Sequence, residues 1–242
     1  MKEGTSCQAR ERYEPFITAL GGVYFNGYKT INESMCFTKA VFGYDKSAVR
    51  GGELEQVIRD RMGISSESCP KNNTKRILIQ DRKHRRIINS EELANELRSQ
   101  LNASVINMQF ENYTLAEQIQ NVFCADVLIG VQGAGLNHLR FLREDSALLE
   151  VGWDHWPAGM YASMARRMGI KAITMGNCSA NISEHTWKSF YEENGNMRNK
   201  THQEVLKWAG NAWWKGENIW KFADCNLNIE EAIRKLGALL IH

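Results

Sequence analysis

Ala125-Asp-Val-Leu-Ile-Gly-Val-Gln-Gly-Ala-Gly-Leu-Asn-His-Leu-Arg-Phe-Leu142 holds a strand, a glycine turn and a helix start in one short stretch. Val127 to Val131 is an apolar run without alternation, the pattern of a parallel strand buried on both faces. Gly130, Gly133 and Gly135 then allow the sharp turn and close backbone approach that a Cβ would block. A helix over Leu136 to Leu142 would aim its free N–H groups and positive dipole end at the turn, the usual arrangement for an anion such as phosphate. A tight strand-to-helix turn without a ligand is the plain alternative. As a dinucleotide fingerprint the turn is poor, because His138 stands where GxGxxG needs its third glycine and the turn follows at least two earlier strands.

Residues 1 to about 72 show no clear rhythm, with a strand expected at Gly21 to Phe25 and a helix at Ser47 to Met62, and the polar stretch Ser65 to Lys75 reads as a linker. Working outward, an α/β rhythm runs from Arg76 onward. Strands are expected over Ile77 to Gln80, Val105 to Phe110, Val127 to Val131, Ala147 to Val151 and Lys171 to Met175. Helices are expected over Glu91 to Leu101, capped by Asn89 with Glu92, from Thr114-x-x-Glu117 onward, over Gly159 to Met168 and over Ile229 to Leu240. Strands alternating with helices predict an α/β fold with a doubly wound parallel sheet, whose ligands bind at the carboxyl ends of the strands. Asp81-Arg82, Gly130 to Gly135 and Glu150 to Trp153 would converge there. Arg82-Lys-His-Arg-Arg86 is a dense basic cluster, either a diphosphate site, for which the arginine fork is suited, or a solvated loop. Glu150, at the end of an apolar strand, is either paired structurally or accepts hydrogen bonds from a ribose; the second is preferred. His138 reads as a satisfied helix residue.

Several of these segments together resemble glycosyltransferase family 61. They are Ala125 to Asn137 with Phe141-Leu142 and Leu149-Glu150-Val151, Cys36-Phe-Thr-Lys-Ala-Val-Phe-Gly43 upstream, Ile77-Leu-Ile-Gln-Asp-Arg82 with Arg85-Arg-Ile-Ile-Asn89, and Tyr161 to Thr174. The resemblance spans about Cys36 to Thr174. It departs at Gln132, where the family usually has His. It implies a GT-B-type enzyme of two Rossmann-like domains, with residues 1–75 the remnant of the acceptor-side domain and its linker, and residues 76–242 the nucleotide-sugar-binding domain. The implied donor is a UDP-sugar, contacted by Arg82 and Arg86 at the phosphates, by Gly133, Ala134, Gly135, Leu136 and Asn137 at the turn, and by Glu150. The implied reaction is an inverting transfer to a hydroxyl acceptor on a protein or glycan, nearest to the secretory animal branch that adds N-acetylglucosamine to protein hydroxyls. Plant xylosyl- and arabinosyltransferases share the motifs. Family members are about twice this length, so the chain is read as a C-terminal portion of a longer enzyme. No general base can be named.

Composition supports that setting. The 242 residues carry a net charge of +2, which gives no global basic field for nucleic acid. Seven N-x-Ser/Thr sequons (Asn32, Asn72, Asn102, Asn112, Asn177, Asn181, Asn199) exceed the roughly two expected by chance and point to the endoplasmic reticulum lumen or Golgi. Six cysteines are compatible with disulfides without fixing a connectivity, and Cys124 is open between a buried thiol and a bridged one. No apolar N-terminal segment is present, so membrane attachment would need a missing N-terminal segment. With no Asp-x-Asp pair, no metal and no further cofactor is expected, basic residues neutralising the leaving diphosphate instead. The stretch from Asn177 to Trp220 reads as loop, its tryptophans packing in the core or stacking on sugars. A nicotinamide oxidoreductase and a non-catalytic nucleotide-sugar- or glycan-binding remnant are the rival readings.

Overall fold

The computed structural model describes residues 53–71, 73–154, 156, 159–211, 219–220 and 222–240. The chain divides into two compact units, Met1–Ser68 and Cys69–His242, the division falling inside the polar stretch read as a linker. In the first unit, helix α1 (Glu53–Arg61) occupies part of the helix expected from Ser47. The strand expected at Gly21 to Phe25 and the Cys36 segment lie outside the described residues, as do Cys7, Asn32, Asn72, Trp213 and Trp214.

The second unit is built on β1 (Arg76–Asp81), α2 (Ser90–Leu101), β2 (Ser104–Gln109), α3 (Leu115–Phe123), β3 (Val127–Val131), a 3-10 helix (Ala134–Phe141), β4 (Ala147–Trp153), α4 (Met160–Arg167) and β5 (Lys171–Asn181). It continues through α5 (Glu184–Glu193), α6 (His202–Asn211), β6 (Asp224–Asn226) and α7 (Ile229–Leu240). The six strands form one sheet in the order β2-β1-β3-β4-β5-β6. The first five are mutually parallel and β6 runs antiparallel to the end of β5. Mixed sheets of this kind commonly carry an antiparallel edge strand.

Alternation sorts each strand onto two covered faces. Ile77, Ile79, Val127, Ile129, Val131, Leu149 and Val151 form one core with Leu93 and Leu97 of α2 and Ala232, Ile233 and Leu236 of α7. The opposite face carries Leu78, Gln80, Leu128, Gly130, Leu148 and Glu150, all buried. Register puts Gln80, Gly130, Glu150 and Thr174 in one row across the sheet. The doubly wound, predominantly parallel arrangement thus follows from uninterrupted apolar strands that require cover on both sides.

Thr114 and Glu117 form the expected reciprocal capping box on α3. Asn89 does not cap α2. Its amide instead donates to Leu227 O at 2.8 Å and accepts from Leu227 N at 3.0 Å. A side chain able to mimic a strand partner was drawn to the unpaired backbone before α7. The stretch read as loop after Asn177 forms the end of β5 and helices α5 and α6. Trp153 and Trp220 are each 2% exposed, so those two tryptophans pack in the core. Cys69–Cys124 and Cys178–Cys225 are disulfides, which assigns Cys124 to a bridge. No helix among the described residues is long and apolar enough to cross a membrane.

Candidate functional site

The strand order creates a switch point. From β1 the chain crosses to β2 on one side, and it returns on the other side of β1 as β3, so the connections leaving the ends of β1 and β3 part company. In open α/β sheets the resulting crevice is where ligands bind. Here it is flanked by the two segments that stood out in the sequence, the basic loop after β1 and the glycine turn after β3.

These segments touch. A Cβ on Gly133 would fall on Arg82 Nη1 and lie 3.0 Å from Arg85 Nη1. Arg85 Nη1 donates to Gln132 O at 3.3 Å, and Arg85 itself is left-handed at φ 60°. Such a conformation in a non-glycine residue costs on the order of 1 kcal/mol and recurs at functional sites. Arg82 Nη1 is buried without an acceptor among protein atoms. Leaving a buried charged donor unmatched is unfavourable, and an anion lying over Gly133 would satisfy it.

The same loop is fixed from behind. Arg86 N donates to Asp224 Oδ1 at 2.9 Å, while Arg86 Nε and Nη2 reach Asp224 Oδ2 at 3.3 and 3.2 Å. Cys225 N donates to Arg86 O at 2.7 Å, and Ile88 N to Cys225 O at 2.9 Å. Arg86 therefore anchors the loop to β6, and the guanidinium that joins Arg82 at the turn is that of Arg85. Sequence spacing could not separate Arg85 from Arg86, because the choice depends on the left-handed Arg85 and on Asp224, far along the chain.

Under the turn, the close approach of backbone to Gln80 explains two glycines. A Cβ on Gly135 would collide with Gln80 Nε2, and one on Gly130 would lie 2.7 Å from Leu136 Cδ2 and 3.1 Å from Gln80 Oε1. The helix after the turn is a 3-10 helix starting at Ala134, so Leu136 N–H is used on Gly133 O at 2.9 Å and its side chain is fully buried. Leu136 thus belongs to the turn's support. The N–H groups of Ala134 and Gly135 precede the first bond of this helix. Ala134 and Asn137 are exposed.

Glu150 is 0% exposed, and its Oε2 accepts from Ala162 N, in the first turn of α4, at 2.7 Å. The structural pairing thus takes one oxygen, as a buried carboxylate on a helix N-terminus, while Oε1 is buried without a hydrogen-bond partner among protein atoms, which the expected ribose contact would supply. Next to it Tyr161 is buried, which raises its phenol, as does Glu150, while Arg85 and Arg82 pull it down. Gln132 Oε1 accepts from the Trp156 indole at 2.6 Å, so this side chain is held by the tryptophan cluster.

His138 is satisfied, as its helical position suggested. The ring Nδ1–H donates to Gly135 O at 2.9 Å, and Phe110 meets the ring edge-on at 4.9 Å. Burial pushes the imidazole below its ordinary value, against the opposing pull of the Gly135 carbonyl. An imidazole more acidic folded than unfolded binds fewer protons in the native state, so stability falls as pH drops below about 6.5. His138→Asn, which keeps a donor but does not titrate, should flatten the loss of urea-midpoint between neutral and mildly acid pH. Identical pH slopes for the two proteins would remove His138 from the acid response.

The model of the family described as Glycosyltransferase 61 matches residues 29–149, half of the chain. This chain belongs to glycosyltransferase family 61. EGF domain-specific O-linked N-acetylglucosamine transferase of Gallus gallus is 29% identical over 164 residues, 59% of this chain and 30% of the relative. The Mus musculus protein of that name is 28% identical over 164 residues, 59% and 31% of the two chains. Protein O-linked-mannose beta-1,4-N-acetylglucosaminyltransferase 2 of Mus musculus is 24% identical over 144 residues, 51% and 25%. The match to the chicken relative takes in 30% of its length, so this family 61 chain corresponds to about a third of it.

Proposed function

We propose that this family 61 chain carries the donor-binding part of an inverting glycosyltransferase, moving a sugar from a UDP-sugar to a hydroxyl on a protein acceptor. The observation that carries the reading is Arg82 Nη1, a buried cationic donor without an acceptor, set against Gly133 in the switch-point crevice. Arg82 and Arg85 would meet the diphosphate, with the first N–H groups of the 3-10 helix beside them. As the bond between sugar carbon and diphosphate oxygen breaks, negative charge grows on that oxygen, and fixed cations placed beforehand stabilise it. This neutralisation needs no metal. The names of the relatives point to N-acetylglucosamine as the sugar. Deprotonation of the acceptor hydroxyl requires a base, and no described residue is assigned that role.

Calorimetric titration with UDP tests the reading, with NADH as the control and each titration repeated in a chelator. Binding of UDP, unaffected by the chelator, with none of NADH is expected. A folded sample indifferent to UDP at millimolar concentration would end the nucleotide assignment. UDP binding with no transfer from any UDP-sugar would favour a binding remnant, a reading in keeping with Gln132 being tied to Trp156.

A lumenal compartment, endoplasmic reticulum or Golgi, is part of the proposal. Two disulfides persist in an oxidising environment. Asn102, Asn112, Asn177, Asn181 and Asn199 are all exposed. Some of the sequon pattern also serves the fold, since Thr114, Ser183 and Thr201 hold the first turns of α3, α5 and α6. Secretion from an animal host should give glycans at several of these sites, least at Asn177, whose amide donates to the Glu231 carboxylate. Mass mapping after enzymatic deglycosylation checks this. A chain carrying no glycan at any site would count against the compartment.

A further inference from the structure

We propose that Trp156 is a positioning residue for the donor site: its indole orients the Gln132 amide so that the crevice is offered N–H donors, and these meet an oxygen of the diphosphate. The inference rests on the nucleotide reading of the crevice and adds two residues to it. Gln132 follows β3, its backbone N donating to Val151 O at 2.7 Å, and it immediately precedes Gly133, against which Arg82 Nη1 is packed. Its backbone oxygen accepts from Arg85 Nη1 at 3.3 Å. The residue therefore stands beside both guanidinium groups, with its side chain half-buried.

Polarity decides what this amide can bind. An indole nitrogen only donates, so the 2.6 Å bond from Trp156 Nε1 must end on the amide oxygen. The planar amide then turns Nε2 away from the indole, and its two N–H groups carry no hydrogen bond among the described residues. Without the tryptophan the amide would be free to turn over and present its oxygen, which repels a phosphate. A ligand hydroxyl both donates and accepts, so it would gain nothing from a fixed amide. A phosphate oxygen only accepts, which is why the fixed orientation points to the diphosphate. The indole is itself held by rings: Trp156 lies 5.7 Å from Trp220, and Trp220 5.3 Å from Trp153, these last two both buried. The core at the end of β4 thus sets the polarity of a side chain at the glycine turn.

Calorimetric titration of the full chain with UDP and with uridine tests this in a double-mutant cycle. Gln132→Met, which keeps the length of the side chain and removes the donors, should weaken UDP binding about tenfold and leave uridine binding unchanged. Gln132→Glu still accepts from the indole but shows the phosphate an anionic oxygen, and should weaken UDP binding further. Trp156→Phe should weaken UDP binding about threefold in the parent, the order of the cost of ordering one side chain. In the Gln132→Met background it should have no effect on UDP, because no amide remains to orient. Urea midpoints report that each variant is folded. Gln132→Met binding UDP as the parent does overturns the proposal, and so does an equal fall for uridine. A Trp156→Phe loss of the same size in both backgrounds also overturns it, by making that tryptophan a packing residue. In each of these results the parent still binds UDP and the crevice assignment stands, whereas a parent that binds no UDP overturns both together.

Discussion

Replacing Arg82 with alanine is expected to lower the affinity for UDP about ten- to a hundredfold while leaving the weaker binding of uridine unchanged. Its Nη1 lies against Gly133, buried and without an acceptor, and in the proposed site it would meet the diphosphate and nothing else of the nucleotide. A charge-assisted hydrogen bond of this type contributes roughly 1.5–3 kcal/mol, which gives the stated range. Arg86→Ala provides the contrast. Its charge is already matched by Asp224, so it should weaken UDP binding less, through looser support of the loop. Titration calorimetry of both variants with UDP and with uridine measures the difference. An equal fall for UDP and uridine in folded Arg82→Ala would make that arginine a structural residue.

Breaking the Cys178–Cys225 disulfide should have the larger effect on stability. The bridge closes a loop of 47 residues, and in the chain-entropy account such a constraint is worth about 4 kcal/mol. That is a substantial part of the whole stability of an ordinary domain. The consequence extends to the site, because Cys225 sits in β6, whose backbone pairs with Arg86 and Ile88 and whose Asp224 grips Arg86. Cys178→Ser with Cys225→Ser should therefore lower the urea midpoint and also weaken UDP binding under conditions where the variant is still folded. The Cys69–Cys124 bridge closes a comparable loop but sits before β3, at the other end of that strand from the glycine turn, so Cys69→Ser with Cys124→Ser should cost stability without the second effect. If both pairs weaken UDP binding alike, the proposed link from β6 to the loop fails.

What could be read from the sequence was what local pattern determines. The buried strand Val127–Val131, the capping box at Thr114 and the amphipathic helix Ile229–Leu240 are each specified by neighbours in the chain, and each appears with the expected bounds or partners. The glycine turn was legible because few residues other than glycine tolerate a guanidinium or a buried amide where Cβ would be. The parts that were not legible depend on distant partners. Asn89 carries every local mark of a cap but spends its amide on Leu227. Arg86 looked equivalent to its neighbours until Asp224 came beside it. Glu150 sits at a strand end that suggested a ligand contact, and only the packing of α4 over it reveals the bond to Ala162 N. Helices α5 and α6 were hidden by polar exposed faces, which read as loop, while Trp187, Phe190, Val205 and Ala209 face the core. Gln80 could have been noticed as a polar residue in an apolar strand opposite a glycine in the next.

The central claim is that the diphosphate of a UDP-sugar lies at the junction of the arginine loop and the glycine turn. Amide hydrogen exchange of the full chain, compared with and without saturating UDP, locates the nucleotide directly. Protection concentrated in the peptides covering residues 80–86 and 131–137, with β2 and α7 unaffected, is the result this account predicts. Protection that falls elsewhere in the sheet, or none in those two segments while UDP is demonstrably bound, would contradict it.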